Sequence, residues 1–175
     1  ESGEKAAAER GNIVSGEPLE AMLDLNESKT LEFKSTLQWD KYQEQQNKDL
    51  RHAVLKTIAA FMNSEGGTLL IGVEDDGSIY GLENDLKVSG NSLDRYGQLL
   101  SNLISDHLGP GYSKFVDFRF EEVEGKTICL VEVEPASKEV YLNWDQDTEF
   151  HVRIGNTTKK LNTQEAHDYI QMNWD

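Results

Sequence analysis

The chain has 175 residues, of which 37% are hydrophobic, and its formal net charge is −15. This length and composition predict one globular domain with a hydrophobic core, and the acidic balance argues against a nonspecific binder of duplex DNA, which needs a basic surface. There is no apolar run long enough to span a membrane and no signal-peptide pattern, so we expect no membrane partner.

The first segment differs in composition from the rest. Residues 1–16 are rich in Gly, Ala and Glu, which predicts a flexible lead-in or linker, and we expect a single domain over residues 17–175. Because the chain begins with Glu1 rather than methionine, we expect it to be part of a longer protein.

A short helix and a strand are predicted next. Leu19, Met22 and Leu23 have helical spacing. The following stretch KTLEFKSTL alternates between apolar and polar residues, which is typical of a strand. Its residues Leu31 and Phe33 are expected to face the core.

Two longer helices enclose an apolar strand. Periodic apolar residues predict a helix over residues 47–64, which the pair Gly66-Gly67 ends. The run TLLIGVE predicts a central strand, and Asp76-Gly77 predicts a hairpin turn after it. A second helix is predicted over residues 92–108, before the breaker Gly109-Pro110-Gly111.

The remainder of the chain alternates strands and turns. Strands are predicted within residues 114–135, 139–143 and 148–155. The capping-box spacing of Asn162 and Glu165 predicts a final helix. Separate helices combined with antiparallel hairpins define the class as α+β, with a mixed, largely antiparallel sheet and three to four helices.

The cysteine and histidines carry little signal. Cys129 lies in the apolar run TICLVEV and is interpreted as a buried strand residue in a reducing compartment, which favours the cytoplasm. No Cys or His cluster has zinc-binding spacing. The four histidines are each interpreted as structural or solvated: His52, His107, His151 and His167.

The first strand carries the strongest chemical signal. Glu32 and Lys34 are two residues apart and therefore share one face. Metal-dependent nucleases use Glu-x-Lys in this way: the carboxylate binds Mg²⁺ or Mn²⁺, and the lysine stabilises negative charge on the phosphate. The alternative is a weak ion pair on the protein surface.

Two more carboxylates complete the candidate metal site. Glu27 is at odd spacing from the strand glutamate, so it can join the site only if it lies off the strand. Asp75 follows the central strand and would converge on the site if the two strands are neighbours, with Glu74 and Asp76 as competitors. In the alternative interpretation, Glu27 caps a helix end and Asp75 is a turn residue.

A family resemblance rests on several motifs together. The stretches ESKTLEFKST and AAFMNSEGGTLLIGVEDDGSIYGLEND resemble the AlbA-2 domain of the Schlafen family, and FHVRIGNTTKKLNTQEAHDYI is similar to its usual ending, so the likeness spans residues 17–172. The motif positions met here are Glu27-Ser28, Glu32-Phe33-Lys34, Ala60-Phe61, Asn63, Gly66-Gly67, Gly72-Val73, Asp75 and Gly81.

The resemblance implies a single Schlafen-like lobe and two functional alternatives. In animal Schlafen proteins this fold carries an endoribonuclease that cuts transfer and ribosomal RNA, and its metal triad and lysine correspond to Glu27, Glu32, Asp75 and Lys34. Microbial relatives are described as DNA-binding or as parts of regulators, which implies a noncatalytic binding or dimerisation module of a larger transcriptional regulator. Animal Schlafens clasp RNA between two lobes, so a homodimer is expected here.

Basic and aromatic residues predict the nucleic-acid surface, with RNA favoured over DNA. Trp39 and Tyr42, in the polar loop LQWDKYQEQQ, would stack on unpaired bases or, alternatively, form a lid over the core. The cations expected to border the carboxylates and contact phosphates are Lys29, Lys41, Lys48, Arg51, Lys56, Arg153, Lys159 and Lys160.

Overall fold

The computed structural model describes residues 19–174, so the predicted lead-in over residues 1–16 lies outside the described residues. The helices are α1 (Leu19–Leu23), α2 (Arg51–Met62), α3 (Glu83–Lys87), α4 (Leu93–Leu108) and α5 (Thr163–Asn173). The strands are β1 (Leu31–Lys34), β2 (Trp39–Asp40), β3 (Gln45–Gln46), β4 (Gly67–Ile71), β5 (Val116–Val123), β6 (Lys126–Val133), β7 (Leu142–Trp144), β8 (Asp147–Ile154) and β9 (Thr157–Leu161).

The strands form a four-stranded sheet, a three-stranded sheet and a small hairpin. The four-stranded order is β1-β4-β6-β5, in which β1 runs parallel to β4 and the other pairs are antiparallel. The strands β7, β8 and β9 form the antiparallel three-stranded sheet, and β2 pairs with β3. The predicted α+β class with a mixed, largely antiparallel sheet is confirmed.

The four-stranded sheet has apolar residues on both faces. Leu69 and Ile71 of β4 pack with the buried sides of α2 and α4. Leu70, between them, packs with Leu31 and Phe33 of β1 and with α1. Because both faces are covered, the face of β1 opposite its apolar residues is also enclosed, and this controls the environment of the site described below.

Some elements differ from the sequence expectation. The central strand ends at Ile71 rather than continuing to Glu74, because Gly72 turns the chain with a φ of 98°. The hairpin predicted around Asp76-Gly77 is closed by a single bridge between Val73 and Ile79. Helix α3 and strand β9 have no predicted counterpart, and the hairpin of β2 and β3 lies in the stretch expected to be a polar loop.

The Gly-Gly pair joins α2 to β4 through two tight contacts. Gly66 has a φ of 77°, and a Cβ there would lie 2.5 Å from the backbone oxygen of Val133. A Cβ on Gly67 would lie 2.7 Å from two ring atoms of Phe61. The pair is therefore required by packing and needs no phosphate ligand to explain it.

Gly67→Ala is expected to lower the free energy of unfolding by about 1–3 kcal/mol, because the added methyl group must displace the buried Phe61 ring. Urea denaturation measures the change. Gly125→Ala is the comparison, because a Cβ there meets nothing within 4 Å, although its φ of 77° adds some strain. If the Gly67 variant is no less stable than the Gly125 variant, the proposed packing restraint is wrong.

The three-stranded sheet is attached to α2 by side chains. The buried amide of Asn63 donates to the carbonyl oxygens of Val140 and His151 at 2.8 and 3.0 Å, and its oxygen accepts the Val140 N–H at 2.8 Å. The Tyr169 hydroxyl donates to the backbone oxygen of Asn63 at 2.5 Å. Within residues 19–174, no helix has the length and apolar character needed to cross a membrane.

Candidate functional site

The parallel pairing of β1 and β4 brings two sequence-distant segments to one sheet end. Lys34 is aligned with Ile71, and its carbonyl oxygen accepts the N–H groups of Gly72 and Val73 at 2.7 and 3.2 Å. The chain that leaves β4 therefore passes the end of β1 before it reaches Asp75. Lys34 and Asp75 line one cleft of about 310 Å³.

Glu27 lies beside β1 and not on it. The Ser28 N–H donates to the Leu31 carbonyl at 2.9 Å, which makes a tight turn before the strand. Through this turn, the Glu27 carboxylate accepts the backbone N–H of Phe33 at 3.1 Å. The odd sequence spacing therefore does not place Glu27 on the opposite face.

The candidate residues lie within electrostatic reach of one another. Burial raises the pKa of Glu27 above its ordinary value, and the negative charges of Glu32 and, to a lesser extent, Asp75 raise it further. The Phe33 N–H and the Lys34 ammonium act in the opposite direction on this pKa. Neighbouring acids with a raised pKa are candidates for a cation site. In the described residues, however, the three carboxylates do not already bring their oxygens within 4.8 Å of one another.

Glu32 is buried and already paired with two cations. The residue is 7% exposed, and its two carboxylate oxygens lie 3.2 Å from Lys34 Nζ and 3.0 Å from Arg153 Nη1. The shared face of Glu32 and Lys34 is thus observed, but Glu32 is not on the surface. A metal bound at Glu32 would compete with these cations for its oxygens.

Arg153 lies within the protein rather than on its surface. It is 4% exposed, its guanidinium also donates to the Ser28 carbonyl and to Thr158 Oγ1, and it lies 5.1 Å from the centre of the Phe61 ring. Its ion pair with Glu32 and its contact with the Phe61 ring explain why an arginine lies at this position of the stretch FHVRIGNTTKK. We therefore leave Arg153 out of the proposed phosphate-contacting surface.

The other predicted cations are mostly paired with acids. Arg51 is half-buried and donates to the Gln38 side-chain oxygen. The ion pairs are Lys29–Glu65 at 2.8 Å, Lys41–Glu74 at 2.5 Å, Lys159–Glu165 at 3.7 Å and Lys160–Glu149 at 3.5 Å. These pairs reduce the positive charge that is free to meet a nucleic acid.

The competitors of Asp75 have structural roles. Glu74 accepts hydrogen bonds from Lys41 and Ser35. Asp76 accepts hydrogen bonds from the backbone and side chain of Ser78 within the turn. Asp75 is exposed, and within the described residues its carboxylate has no hydrogen bond or ion pair, which leaves it available to a ligand.

Both aromatic residues singled out in the sequence line the cleft. Trp39 is half-buried, and Tyr42 is 87% exposed. Lys41 lies between them in the chain, with its ammonium 5.4 Å from the centre of the Tyr42 ring. The cleft is therefore lined both by aromatic rings and by the charged residues Lys34 and Asp75.

A second cluster was missed by sequence reasoning. Among residues 19–174, the His, Cys, Asp and Glu side chains that already bring three ligand atoms within 4.8 Å of one another are His52, Glu149 and His151. Burial acts to raise the pKa of Glu149, but hydrogen bonds from the two imidazoles hold it at about 2. The only sequence signal was Glu149-x-His151 on one strand face, because His52 is 97 residues away from Glu149.

Comparisons with known proteins agree with the fold and the motifs. The family model described as Schlafen, AlbA_2 matches residues 27–162. Among solved structures, the DIP2311 protein from Corynebacterium diphtheriae is similar at 17% identity and a TM-score of 0.60, over 90% of this chain and 32% of that chain. The N-terminal domain of a protein from Nitrosomonas europaea, related to the ATP-dependent DNA helicase RecG, is similar at 23% identity and a TM-score of 0.51, over 82% of this chain and 90% of that domain.

No curated protein matches the chain. The mixed sheet and its flanking helices define an α+β domain with acidic residues near an aromatic cleft. The chain belongs to the Schlafen AlbA_2 family. The structural likenesses, both below 25% identity, support the fold alone.

Proposed function

We propose that this domain binds single-stranded or looped RNA in the cleft beside Lys34 and Asp75 and cleaves its phosphodiester backbone with a divalent metal. The observation that supports the proposal is that Lys34 and Asp75 line a cleft that also contains aromatic rings, while Glu32 is paired with Lys34 and the charges of Glu32, Asp75 and Lys34 act on Glu27. Aromatic side chains stack on unpaired bases and are poorly suited to the closed grooves of a duplex.

Carboxylate oxygens are the ligands that Mg²⁺ and Mn²⁺ prefer, so Glu27, Glu32 and Asp75 have the right donor type for either ion. Such an ion would supply polarisation of the scissile phosphate and activation of the attacking oxygen. The protein's own residues do the rest: Lys34 stabilises negative charge on the phosphate, and Arg153 holds Glu32 in place.

A homodimer in the cytoplasm is part of the proposal. The chain forms one lobe, and a clasp around structured RNA such as transfer RNA needs a second lobe from another copy. Multi-angle light scattering of the protein with and without transfer RNA tests this. A monomer in both conditions would contradict the dimer without touching the cleavage proposal.

A noncatalytic role is the second candidate, and a specific observation favours it. Glu32 is enclosed by Lys34 and Arg153, so its buried charge is compensated without a metal. In that case the domain is a module of a larger transcriptional regulator, and it binds nucleic acid or a second copy of itself without cleaving RNA. The two functions differ in whether bound RNA is cut.

Asp75→Asn is the decisive variant. We expect purified protein with Mn²⁺ to cleave transfer RNA, and this change to reduce the rate by at least about 100-fold if the carboxylate acts on a metal or the phosphate. Because Asp75 is exposed, the substitution should leave stability unchanged within about 0.5 kcal/mol. Glu32→Gln should also abolish cleavage, but it breaks a buried pair, so its folding must be checked first.

Asp76→Asn is the matched control, because it changes the adjacent carboxylate, whose partner is Ser78 in the turn. We expect it to retain cleavage. Cleavage that survives Asp75→Asn, or that is absent for wild-type protein on several RNAs and single-stranded DNAs, would contradict the nuclease. Binding without cleavage, weakened by Trp39→Ala and Tyr42→Ala, would support the noncatalytic role.

A further inference from the structure

Two imidazoles and one carboxylate meet on the side of the fold where α2 packs on β8. His52 Nε2 lies 2.6 Å from Glu149 Oε1, and His151 Nε2 lies 3.1 Å from the same oxygen. Glu149 and His151 are two residues apart on β8 and share its face, while His52 comes from the first turn of α2. One face of a strand and one helix turn thus provide three ligand atoms within 4.8 Å of one another.

We infer that His52, Glu149 and His151 form a Zn²⁺ site that joins α2 to β8. Two imidazole nitrogens and one carboxylate oxygen are a donor set that Zn²⁺ accepts, with water in the fourth position. Mg²⁺ and Ca²⁺ prefer oxygen alone, so this site is chemically distinct from the Glu27, Glu32 and Asp75 group.

The residues around this cluster pack against His52 and leave it accessible to an ion from solvent. The Trp144 ring stacks on His52 at 5.0 Å between ring centres, and the His52 side chain is 29% exposed, which gives an ion access from solvent. His151 is buried, and within the described residues no partner binds its Nδ1. In the metal-free protein the Glu149 carboxylate favours a proton on Nε2 of His151, so Zn²⁺ binding at Nε2 would require that proton to move to the unpartnered Nδ1.

Two lysines oppose the metal's charge. Lys160 Nζ lies 3.5 Å from Glu149 Oε2, and Lys56 lies one turn after His52 on α2 and acts electrostatically on His151. The Lys160 contact holds the outer oxygen, so Glu149 presents Oε1 to the imidazoles. Because Lys160 competes for the carboxylate, its removal should strengthen Zn²⁺ binding.

Calorimetric titration of the chelator-treated 175-residue chain with Zn²⁺ tests the site. We expect one Zn²⁺ per chain, affinity reduced at least about tenfold by His52→Asn or Glu149→Gln, and tighter binding by Lys160→Gln. Added Zn²⁺ should raise the Tm of the wild type and leave that of Glu149→Gln unchanged. His107→Asn is the matched control. The His107 ring also lies 5.0 Å from the Trp144 ring, but His107 is not one of the three ligand residues, so its loss should leave Zn²⁺ affinity unchanged.

A second readout does not depend on those variants folding. Co²⁺ bound to the wild type should give visible absorption bands, and His52→Cys should add a thiolate charge-transfer band. The native Cys129 is fully buried and should not supply such a band. Absence of Zn²⁺ binding, equal binding by the wild type and Glu149→Gln, or a Co²⁺ spectrum of His52→Cys without the thiolate band would each overturn the site.

Discussion

Arg153→Met is expected to lower the free energy of unfolding by about 3–5 kcal/mol, because it leaves the Glu32 carboxylate buried without its main partner. The charge of Lys34 remains, but its ammonium is partly exposed and lies at 3.2 Å. The loss also removes the guanidinium from the Phe61 ring and from the Ser28 carbonyl. Urea denaturation, analysed by linear extrapolation, gives the change.

A double-mutant cycle separates the charge effect from lost packing. The double variant Glu32→Gln/Arg153→Met has no uncompensated buried carboxylate, and Lys34 is partly exposed, so we expect it to be more stable than the sum of the single changes predicts. Arg119→Met is the surface comparison: Arg119 is about half exposed and bridges Glu121 and Glu132, and its loss should change stability by less than about 1 kcal/mol. Additive energies in the cycle would contradict a coupled buried pair.

Asp85→Ala is expected to lower the free energy of unfolding by about 3 kcal/mol. The Asp85 carboxylate is 1% exposed and accepts the backbone N–H groups of Leu37 and Gln38 at 2.7 and 3.0 Å. Without it, two buried N–H groups have no acceptor, which is a large cost. These N–H groups lie directly before Trp39 in the chain. We therefore expect Asp85→Ala also to disorder Trp39, which lines the cleft.

The size of the Asp85→Ala effect should depend on pH. Burial raises the folded-state pKa of Asp85 above its ordinary value of 3.8, so the native state binds this proton more tightly than the unfolded chain does. The stabilisation is therefore fully present below about pH 3.8 and is partly lost as pH rises through the folded-state pKa. We expect a larger difference between wild type and variant at pH 4 than at pH 7.

Denaturation series at the two pH values measure this dependence. Glu83→Ala changes an exposed acid on the same helix, α3, and should alter stability by no more than about 0.5 kcal/mol at either pH. An Asp85→Ala effect that is constant, or that shrinks as pH falls, would show that the carboxyl pKa is not raised.

Elements with a local apolar pattern were predicted well from the sequence. In strand β4 and helices α2 and α4, the buried residues are the apolar residues whose pattern predicts the element. The predicted capping box of Asn162 and Glu165 is present at the start of α5. Strand β9 was missed because its residues are mostly exposed and polar, so only backbone pairing to β8 defines it. Helix α3 is five residues long, and its one buried residue is Asp85, so it has no periodic apolar pattern from which a helix could be predicted.

The candidate site was predicted only in part. Spacing was enough to put Glu32 and Lys34 on one face, and their side chains lie 3.2 Å apart. It could not reveal that Glu32 is buried, because the covering residue, Arg153, is 121 positions away. The same limit hid the contact of His52 with Glu149, since spacing along a chain reports only contacts within one element.

The side-chain attachment of the three-stranded sheet has a consequence for how the protein opens. No backbone ladder joins β7–β9 to the four-stranded sheet within residues 19–174; the amide of Asn63, the hydroxyl of Tyr169 and the guanidinium of Arg153 make polar links across the boundary. Hydrogen exchange should then show two cooperative units, with the amides of β8 and β9 exchanging before those of β4 and β6. Opening of the first unit would carry Arg153 away from Glu32, so local unfolding and the charge of the acidic site are thermodynamically linked.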